Sequence, residues 1–356
     1  PLPTALPHRS HAPRHPSESP AISVVVPAYN EQEVLAEFHA RTVPVLEAIG
    51  LPFEVVYVND GSRDRTLEVM LALQAADSRV AVVNLSRNFG KEIALTAGLD
   101  HAAATEAVVV IDADLQDPPE VIPDLVAAWR RGFDIAYAQR RVREGETWLK
   151  KATATGFYRV MQRLGGRVQL PANTGDFRLM SRRALDALLT LREQHRFMKG
   201  LFAWVGFPAV PVLYDRAPRA AGTTKWNYWK LWNFSLEGIT SFTVGPLKIA
   251  TYLGLVTAVF AAVFGAQIIA KTLIWGNPVA GYPSLMAVVL FLGGVQLMTL
   301  GIIGEYLGRV FNETKGRPLY FIERHIPSGE AYRQASSVPT GAQRAAPSGT
   351  SGANAA

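Results

Sequence analysis

The sequence predicts an α/β domain with a mostly parallel sheet flanked by helices, followed by an interfacial amphipathic helix and a two-helix transmembrane hairpin. Three observations carry that expectation. From Ile22 onward, short β-branched runs alternate with longer amphipathic ones, and strands that alternate with helices imply a parallel sheet covered on both faces. Polar residues gather where the β-branched runs end, the edge at which such sheets bind ligands. The second half holds two long apolar stretches, each about the 20 residues needed to cross a bilayer.

The first 20 residues, "PLPTALPHRSHAPRHPSESP", are rich in Pro, His and Ser and hold no apolar core of signal-peptide length. They are expected to be a disordered tail, its histidines solvated rather than metal-bound. The α/β domain is expected over 21–222. "ISVVVP" reads as the first strand, ending at Asn30 and Glu31, and "FEVVYVND" as the second, ending at Asn59 and Asp60. "SRDRTLEVMLALQAA" reads as a helix opened by Ser62. "RVAVVNL" is the third strand, with Asn88 beyond its end, and "KEIALTAGLDHAAA" the helix after it. "EAVVVIDAD" is the fourth, delivering Asp112 and Asp114, and Pro119 opens the helix "PEVIPDLVAAWRRG". Four polar strand ends thus converge on one crevice.

In "KWNYWKLWNFSLEGITSF", Trp226, Trp229, Trp232 and Phe234 sit among Lys225, Lys230 and Asn233. Aromatic side chains with wet ends favour a membrane interface, so 223–245 is expected to lie on the cytoplasmic leaflet. Apolar stretches at Ile249–Ala270 and Leu285–Ile303, joined by "WGNPVAGYPS", place a transmembrane hairpin in 246–308. Lys225, Lys230 and Lys248 precede the first span, Arg309, Lys315, Arg317 and Arg324 follow the second, and the connector has no Lys or Arg. The positive-inside rule then puts both termini and the α/β domain in the cytoplasm, at the inner (plasma) membrane. A cytoplasmic segment is expected over 309–327 and a low-complexity disordered tail over 328–356. Gly304 and Gly308 have the small-xxx-small spacing that packs helices within a hairpin or between subunits. The chain of 356 residues has no cysteine, which excludes disulfides and Cys-ligated zinc.

The chemistry centres on "DADLQDPPE". In extended backbone Asp112 and Asp114 would point to the same side, and Gln116 continues the spacing. Two carboxylates and an amide oxygen suit a hard divalent cation, Mg2+ or Mn2+, that keeps positions open for phosphate oxygens. The plainer alternative is a pair of caps for the helix that follows. The first strand ends without a glycine-rich turn, against a dinucleotide fold. Asp60 can accept hydrogen bonds from a base, Gly61 permits a tight turn, and Lys91 of "SRNFGKE" can meet a phosphate. The set fits a metal-bridged nucleotide diphosphate.

"VVVPAYNE", "VNDGSRD", "NFGKE" and "DADLQDPPE", in that order, resemble family 2 glycosyltransferases of the GT-A fold. "TGDFRLMSRRALDAL", "RFMKGLFAWVGF", "YDRAPRAAGTTKWNYWKLWNFSLEGITSF" and the two spans narrow the resemblance to polyprenyl-phosphate glycosyltransferases, especially bactoprenol glucosyltransferases, relatives of dolichol-phosphate mannose synthase. The resemblance covers roughly residues 20 to 325. It implies that Pro27, Tyr29, Glu31 and Asp60 hold the nucleoside, with Lys91 and Asp112 also on the nucleotide sugar. It implies that Asp112, Asp114 and Gln116 hold Mg2+ or Mn2+, and that Asp176 of "TGDFRLM" lies at the reacting centre with Asp114. Arg140, Lys150, Lys151 and Thr153 of the basic run, with Arg196, Lys199 and Lys225, would receive the acceptor phosphate. The implied reaction is inverting transfer of a hexose, glucose from UDP-glucose foremost, to undecaprenyl or another polyprenyl phosphate. Mannose, N-acetylglucosamine and amino-arabinose donors stay open. A homo-oligomer is implied, and nucleic acid is not expected as a partner. Thr224 stands where relatives often have Ser, and keeps the hydroxyl. "QHRF" does not match the Q-x-x-R-W motif of processive polysaccharide synthases, and the intact D-x-D argues against a non-catalytic nucleotide-sugar sensor.

Overall fold

The computed structural model describes residues 19–141, 171, 174–215, 245–275 and 281–329. In chain order these form β1 (Ile22–Ala28), α1 (Leu35–Ile49), β2 (Phe53–Asn59), α2 (Thr66–Ala76), β3 (Val80–Leu85), α3 (Lys91–His101), β4 (Ala107–Val110), a 3-10 turn (Pro119–Val121) running into α4 (Ile122–Arg130), and β5 (Ile135–Arg140). Then come β6 (Thr174–Ser181), α5 (Arg182–Leu189), α6 (Met198–Trp204), β7 (Ala209–Tyr214), α7 (Gly245–Trp275), α8 (Tyr282–Thr314) and β8 (Ile322–Ile326).

The strands form one 8-stranded sheet in the order β7-β5-β6-β4-β1-β2-β3-β8. β4, β1, β2 and β3 are parallel neighbours, as expected. β6 enters antiparallel between β4 and β5, and β8 pairs antiparallel with β3. The continuous valines of β1 follow from burial on both faces. Val24 and Val26 pack into the core layer shared with α1 and α4, while Val25 packs into the opposite layer, with α3, α5 and α6. α3 crosses so close that a Cβ on Gly98 would lie 2.3 Å from Cγ1 of Val25 and 2.9 Å from Cγ2 of Val58.

Three local departures have physical causes. The sequence reading names no helix between the first two strands. α1 nevertheless runs through Pro44, buries Leu35, Phe38, Thr42 and Leu46 and ends on Gly50 in the left-handed conformation at φ 73°. α2 begins at Thr66, not Ser62, because Asp64 accepts the Thr66 N–H at 3.0 Å while the Ser62 hydroxyl is used elsewhere, accepting the Asn30 N–H at 3.0 Å. The segment after the hairpin, expected only as a cytoplasmic extension, returns to the sheet. Beyond β8, Ser328 donates to the buried carboxylate of Glu54, and the Gly329 N–H donates to the Ser78 carbonyl at 2.6 Å.

α7 and α8 pack against each other. Each contains a window long and apolar enough to cross a membrane, Ala250–Gln267 and Phe291–Thr314, with 11% and 0% of the residues buried within the protein. Among the described residues little covers either window, which suits a membrane hairpin better than a buried core helix. Among the described residues, a Cβ on Gly304 or Gly308 would meet nothing within 4 Å. The tails and the 223–244 segment with its tryptophans lie outside the described residues.

Candidate active site

Sheet topology explains how the site assembles. β4 and β6 run antiparallel with Val110 opposite Arg178. Continuing that register by two residues sets Asp112 opposite Asp176, so a carboxylate beyond the end of β4 meets one at the start of β6. α3 starts at the same edge and adds Lys91 from its first turn. The Lys91 Nζ lies 2.7 Å from Asp112 Oδ2 and 2.7 Å from Asp176 Oδ2. Burial alone would push this ammonium down; the two facing carboxylates reverse that and hold it well above the usual lysine range. Burial opposes the charge on Asp176 too, yet Lys91 and Lys199 hold its carboxyl well below the usual range. For Asp112 the balance goes the other way, and burial with the repulsion of Asp176 and Asp117 raises it despite Lys91. Asp176 is 6% exposed, and its Oδ1 has no hydrogen-bond partner among the described residues.

The aspartate pair is not the extended D-x-D that alternation suggests. β4 stops at Val110, and the chain turns at Ala113 and Asp114 before Leu115 takes a positive φ of 58°. The same-side argument therefore fails. Asp114 Oδ1 accepts the Gln116 N–H at 3.1 Å within the turn. The helical turn that follows starts at Pro119, and no side chain caps it at Pro118, so capping does not explain the pair. Among the described residues no three Asp, Glu or His side chains form a ready-made metal cage. The donor chemistry still fits a hard cation: half-exposed Asp112 and Asp114, the amide of Gln116, and one unpartnered buried carboxylate oxygen on Asp176.

The expected nucleoside residues line the ends of β1 and β2. Pro27 is buried opposite Val58, Tyr29 is exposed, and the Glu31 N–H donates to Thr66 Oγ1 at 2.9 Å. Asp60 is buried, and its two oxygens accept the N–H groups of Phe89 at 2.7 Å and Gly90 at 3.0 Å. Its first task is to tie the end of β2 to the start of α3; each carboxylate oxygen retains a second acceptor site. Burial raises its pKa against those two bonds. Gly61 (φ 61°) passes so close to the next loop that a Cβ would lie 2.4 Å from backbone atoms of Arg87 and Asn88.

On the other flank, β5 and β7 are parallel with Arg140 opposite Tyr214. Arg140 Nε donates to the Tyr214 hydroxyl at 3.3 Å, and that hydroxyl donates to Asp117, whose carboxylate is 4.0 Å from Arg140 Nη2. Lys199, on the first turn of α6, carries its charge towards Asp176 and Glu92. Arg196, expected at the acceptor phosphate, lies inside the fold. It is 5% exposed, with Nη1 donating to the Leu191 carbonyl at 2.6 Å, so it holds the loop before α6. Lys150, Lys151, Thr153 and Lys225 lie outside the described residues.

Three site members escape the sequence reading. Glu92 accepts the Met198 N–H at 3.3 Å, and burial and Asp176 push its carboxyl up to about 7. Arg178 is buried, donates to the carbonyls of Gly175 and Asp176, and lies 3.8 Å over the Phe202 ring. Asp117 is buried beside Arg140 and Tyr214. Each sits within a motif the sequence displays, but only the tertiary neighbours distinguish it.

A model of the family described as glycosyl transferase family 2 matches residues 23–189, and one described as the GtrB C-terminal hairpin matches 245–310. The chain is 54% identical over 301 residues to an uncharacterized glycosyltransferase of Synechocystis sp., covering 85% of this chain and 94% of that protein. It is 47% identical over 303 residues to the bactoprenol glucosyl transferase of Shigella phage SfII, covering 85% and 97%. A prophage bactoprenol glucosyl transferase homolog of Escherichia coli matches equally well, at 47% over 303 residues, covering 85% and 98%.

Proposed function

Because the chain belongs to glycosyltransferase family 2, we propose that it transfers glucose from UDP-glucose to undecaprenyl phosphate, or a similar polyprenyl phosphate, on the cytoplasmic face of a membrane. The observation that carries this reading is the Asp112–Lys91–Asp176 cluster at the strand ends of a domain followed by two uncovered apolar helices. Relatives named bactoprenol glucosyl transferase, matched along almost their whole length, support the donor sugar and the lipid.

In this reading Pro27, Tyr29, Glu31 and Asp60 hold the nucleoside. Asp112, Asp114 and Gln116 would hold Mg2+ or Mn2+, which when bound neutralises charge on the leaving diphosphate. Lys91 adds a fixed positive charge beside the same phosphates and keeps Asp112 and Asp176 together in their absence. Asp176, ionised and largely dry, faces the sugar and stabilises the positive charge that builds on the anomeric carbon in an oxocarbenium-like transition state. The acceptor is a phosphate monoester, largely ionised near neutral pH, so no strong general base is required. A single displacement by the phosphate oxygen inverts the anomeric centre. Arg140, Lys150, Lys151, Thr153, Lys199 and Lys225 gather that phosphate at the membrane surface. α7 and α8 span the bilayer with both termini cytoplasmic, and the uncovered Gly304 and Gly308 favour a homo-oligomer.

The test is transfer by purified full-length protein supplied with undecaprenyl phosphate, Mg2+ or Mn2+, and UDP-glucose, GDP-mannose or UDP-N-acetylglucosamine, read by mass spectrometry of the lipid. Glucosylated lipid from UDP-glucose alone is the expected result. Another sugar would correct the donor, and no lipid product from folded protein would overturn the reading.

A further inference from the structure

The chain that leaves the hairpin reaches back to the donor side of the cleft. In the β3–β8 pairing Asn84 lies opposite Arg324 and Leu85 opposite Ile322, so Glu323 is an extra residue. A bulge of this kind re-aims the side chain it releases. Glu323 Oε2 accepts from Asn84 Nδ2 at 2.9 Å. Asn84 Oδ1 accepts from Asn59 Nδ2 at 2.7 Å, and Asn59 Oδ1 accepts the Ser62 N–H at 3.2 Å. Ser62 Oγ accepts the Asn30 N–H at 3.0 Å, and Asn30 Oδ1 accepts the Arg63 N–H at 2.9 Å. Asn59 and Asn84 are 3% and 5% exposed, so little water is available to replace either partner.

The direction of this relay is fixed at both ends. The Ser62 N–H can only donate, so Asn59 must turn its oxygen to it and its amide nitrogen to Asn84. Asn84 must then turn its own oxygen to Asn59 and its nitrogen outward, where only an acceptor satisfies it. The carboxylate of Glu323 supplies that acceptor. We infer that Glu323 is a positioning residue for the nucleotide-sugar pocket, acting through Asn84 and Asn59 to hold the 60–63 turn and, through Ser62, the Tyr29–Glu31 loop. This rests on the proposed reading that those loops hold the nucleoside of the donor.

Polarity gives the inference its test. Glu323 is exposed, so substitutions there bury no misfit group. Glu323→Gln keeps an acceptor. Glu323→Ala leaves the place to water. Glu323→Lys puts a donor against the Asn84 amide; flipping both amides to suit it would set Asn59 Nδ2 against the Ser62 N–H. The experiment measures kcat and KM for UDP-glucose and for undecaprenyl phosphate in full-length protein, with UDP binding by calorimetry. We expect Glu323→Gln within about twofold of the unsubstituted protein. Glu323→Lys should raise the UDP-glucose KM and the UDP Kd about tenfold, and Glu323→Ala by less, as suits one charge-assisted hydrogen bond. kcat and the lipid KM should stay unchanged. Equal behaviour of all three variants, a larger effect for Ala than for Lys, or a loss shared by kcat and the lipid KM would overturn the inference while the functional reading stood. An unsubstituted protein that neither binds UDP nor uses UDP-glucose would overturn both.

Discussion

Replacing Lys91 by Met tests whether this one ammonium lets two carboxylates share the floor of the cleft. Met is unbranched, of similar length and uncharged. At 2.7 Å each Lys91–carboxylate contact has a gross attraction of about 6 kcal/mol at an effective dielectric near 20. Desolvation cancels much of that, and breaking a fully buried pair costs about 3–5 kcal/mol. The side chains of Lys91 and Asp112 are 46% and 28% exposed, so solvent softens the loss, but that of Asp176 is only 7% exposed and cannot regain its hydration. The net cost should be about 2–3 kcal/mol, which for a domain of this size lowers Tm by about 5–10 °C.

The assay is thermal unfolding of full-length protein in detergent with a chelator present, followed by tryptophan fluorescence, for Lys91→Met, Asp176→Asn and the double variant. The double variant should lie well above the sum of the single losses, because a neutral amide in place of the Asp176 carboxylate no longer needs the ammonium. Asp176, whose folded pKa is depressed, supplies stability at neutral pH that is lost as pH falls through that value. Without Lys91 the depression goes, so the gap between Lys91→Met and the unsubstituted protein should narrow on acidification. Strictly additive losses, or a Lys91→Met Tm equal to that of the unsubstituted protein at neutral as well as acid pH, would refute the reasoning.

Asp114→Ala should abolish transfer while the protein stays folded, since Asp114 is half-exposed within a turn; retained transfer measured by lipid mass spectrometry would sink the metal assignment. Glu92→Gln should gain stability over the unsubstituted protein as pH rises from 4.5 through about 7. A carboxyl that holds its proton more tightly folded than unfolded loses stability across that window, whereas Gln keeps the acceptor for the Met198 N–H and carries no charge; parallel Tm–pH curves in chelator would contradict this. Gly98→Ala should lower stability by about 1–3 kcal/mol by driving a methyl into Val25 and Val58, and adding Val25→Ala should return part of the loss in the same unfolding assay.

What the sequence discloses follows from how local each cause is. The four parallel strands are legible because both of their faces are buried, which writes Val and Ile in unbroken runs. The pairing of Asp112 with Asp176 is not legible from the residues alone, since the two lie far apart in the chain and only the antiparallel entry of β6 brings them together. The resemblance supplied Asp176 where periodicity could not. Glu92 and Arg178 sit inside quoted motifs, yet their burial is a property of α6 packing over α3 and β6, not of their neighbours in the chain. β8 is the deepest omission. "FIERHI" is short, charged and follows a long apolar stretch, so it reads as a tail, whereas an edge strand needs only one face apolar and gets its register from β3. The sheet therefore extends past a boundary drawn at 222, since β8 forms its edge. Glu54, 2% exposed, accepts from Ser23 and the Ala103 N–H on its own side of the hairpin and from Ser328 on the other. Cutting the chain before β8 would expose the β3 edge, remove one partner of that buried carboxylate, and release Asn84 from Glu323. The apolar hairpin is thus an insertion in the α/β fold, entered after β7 and left before β8, and the Asn59–Asn84 side of the cleft is completed only by chain that follows both apolar helices.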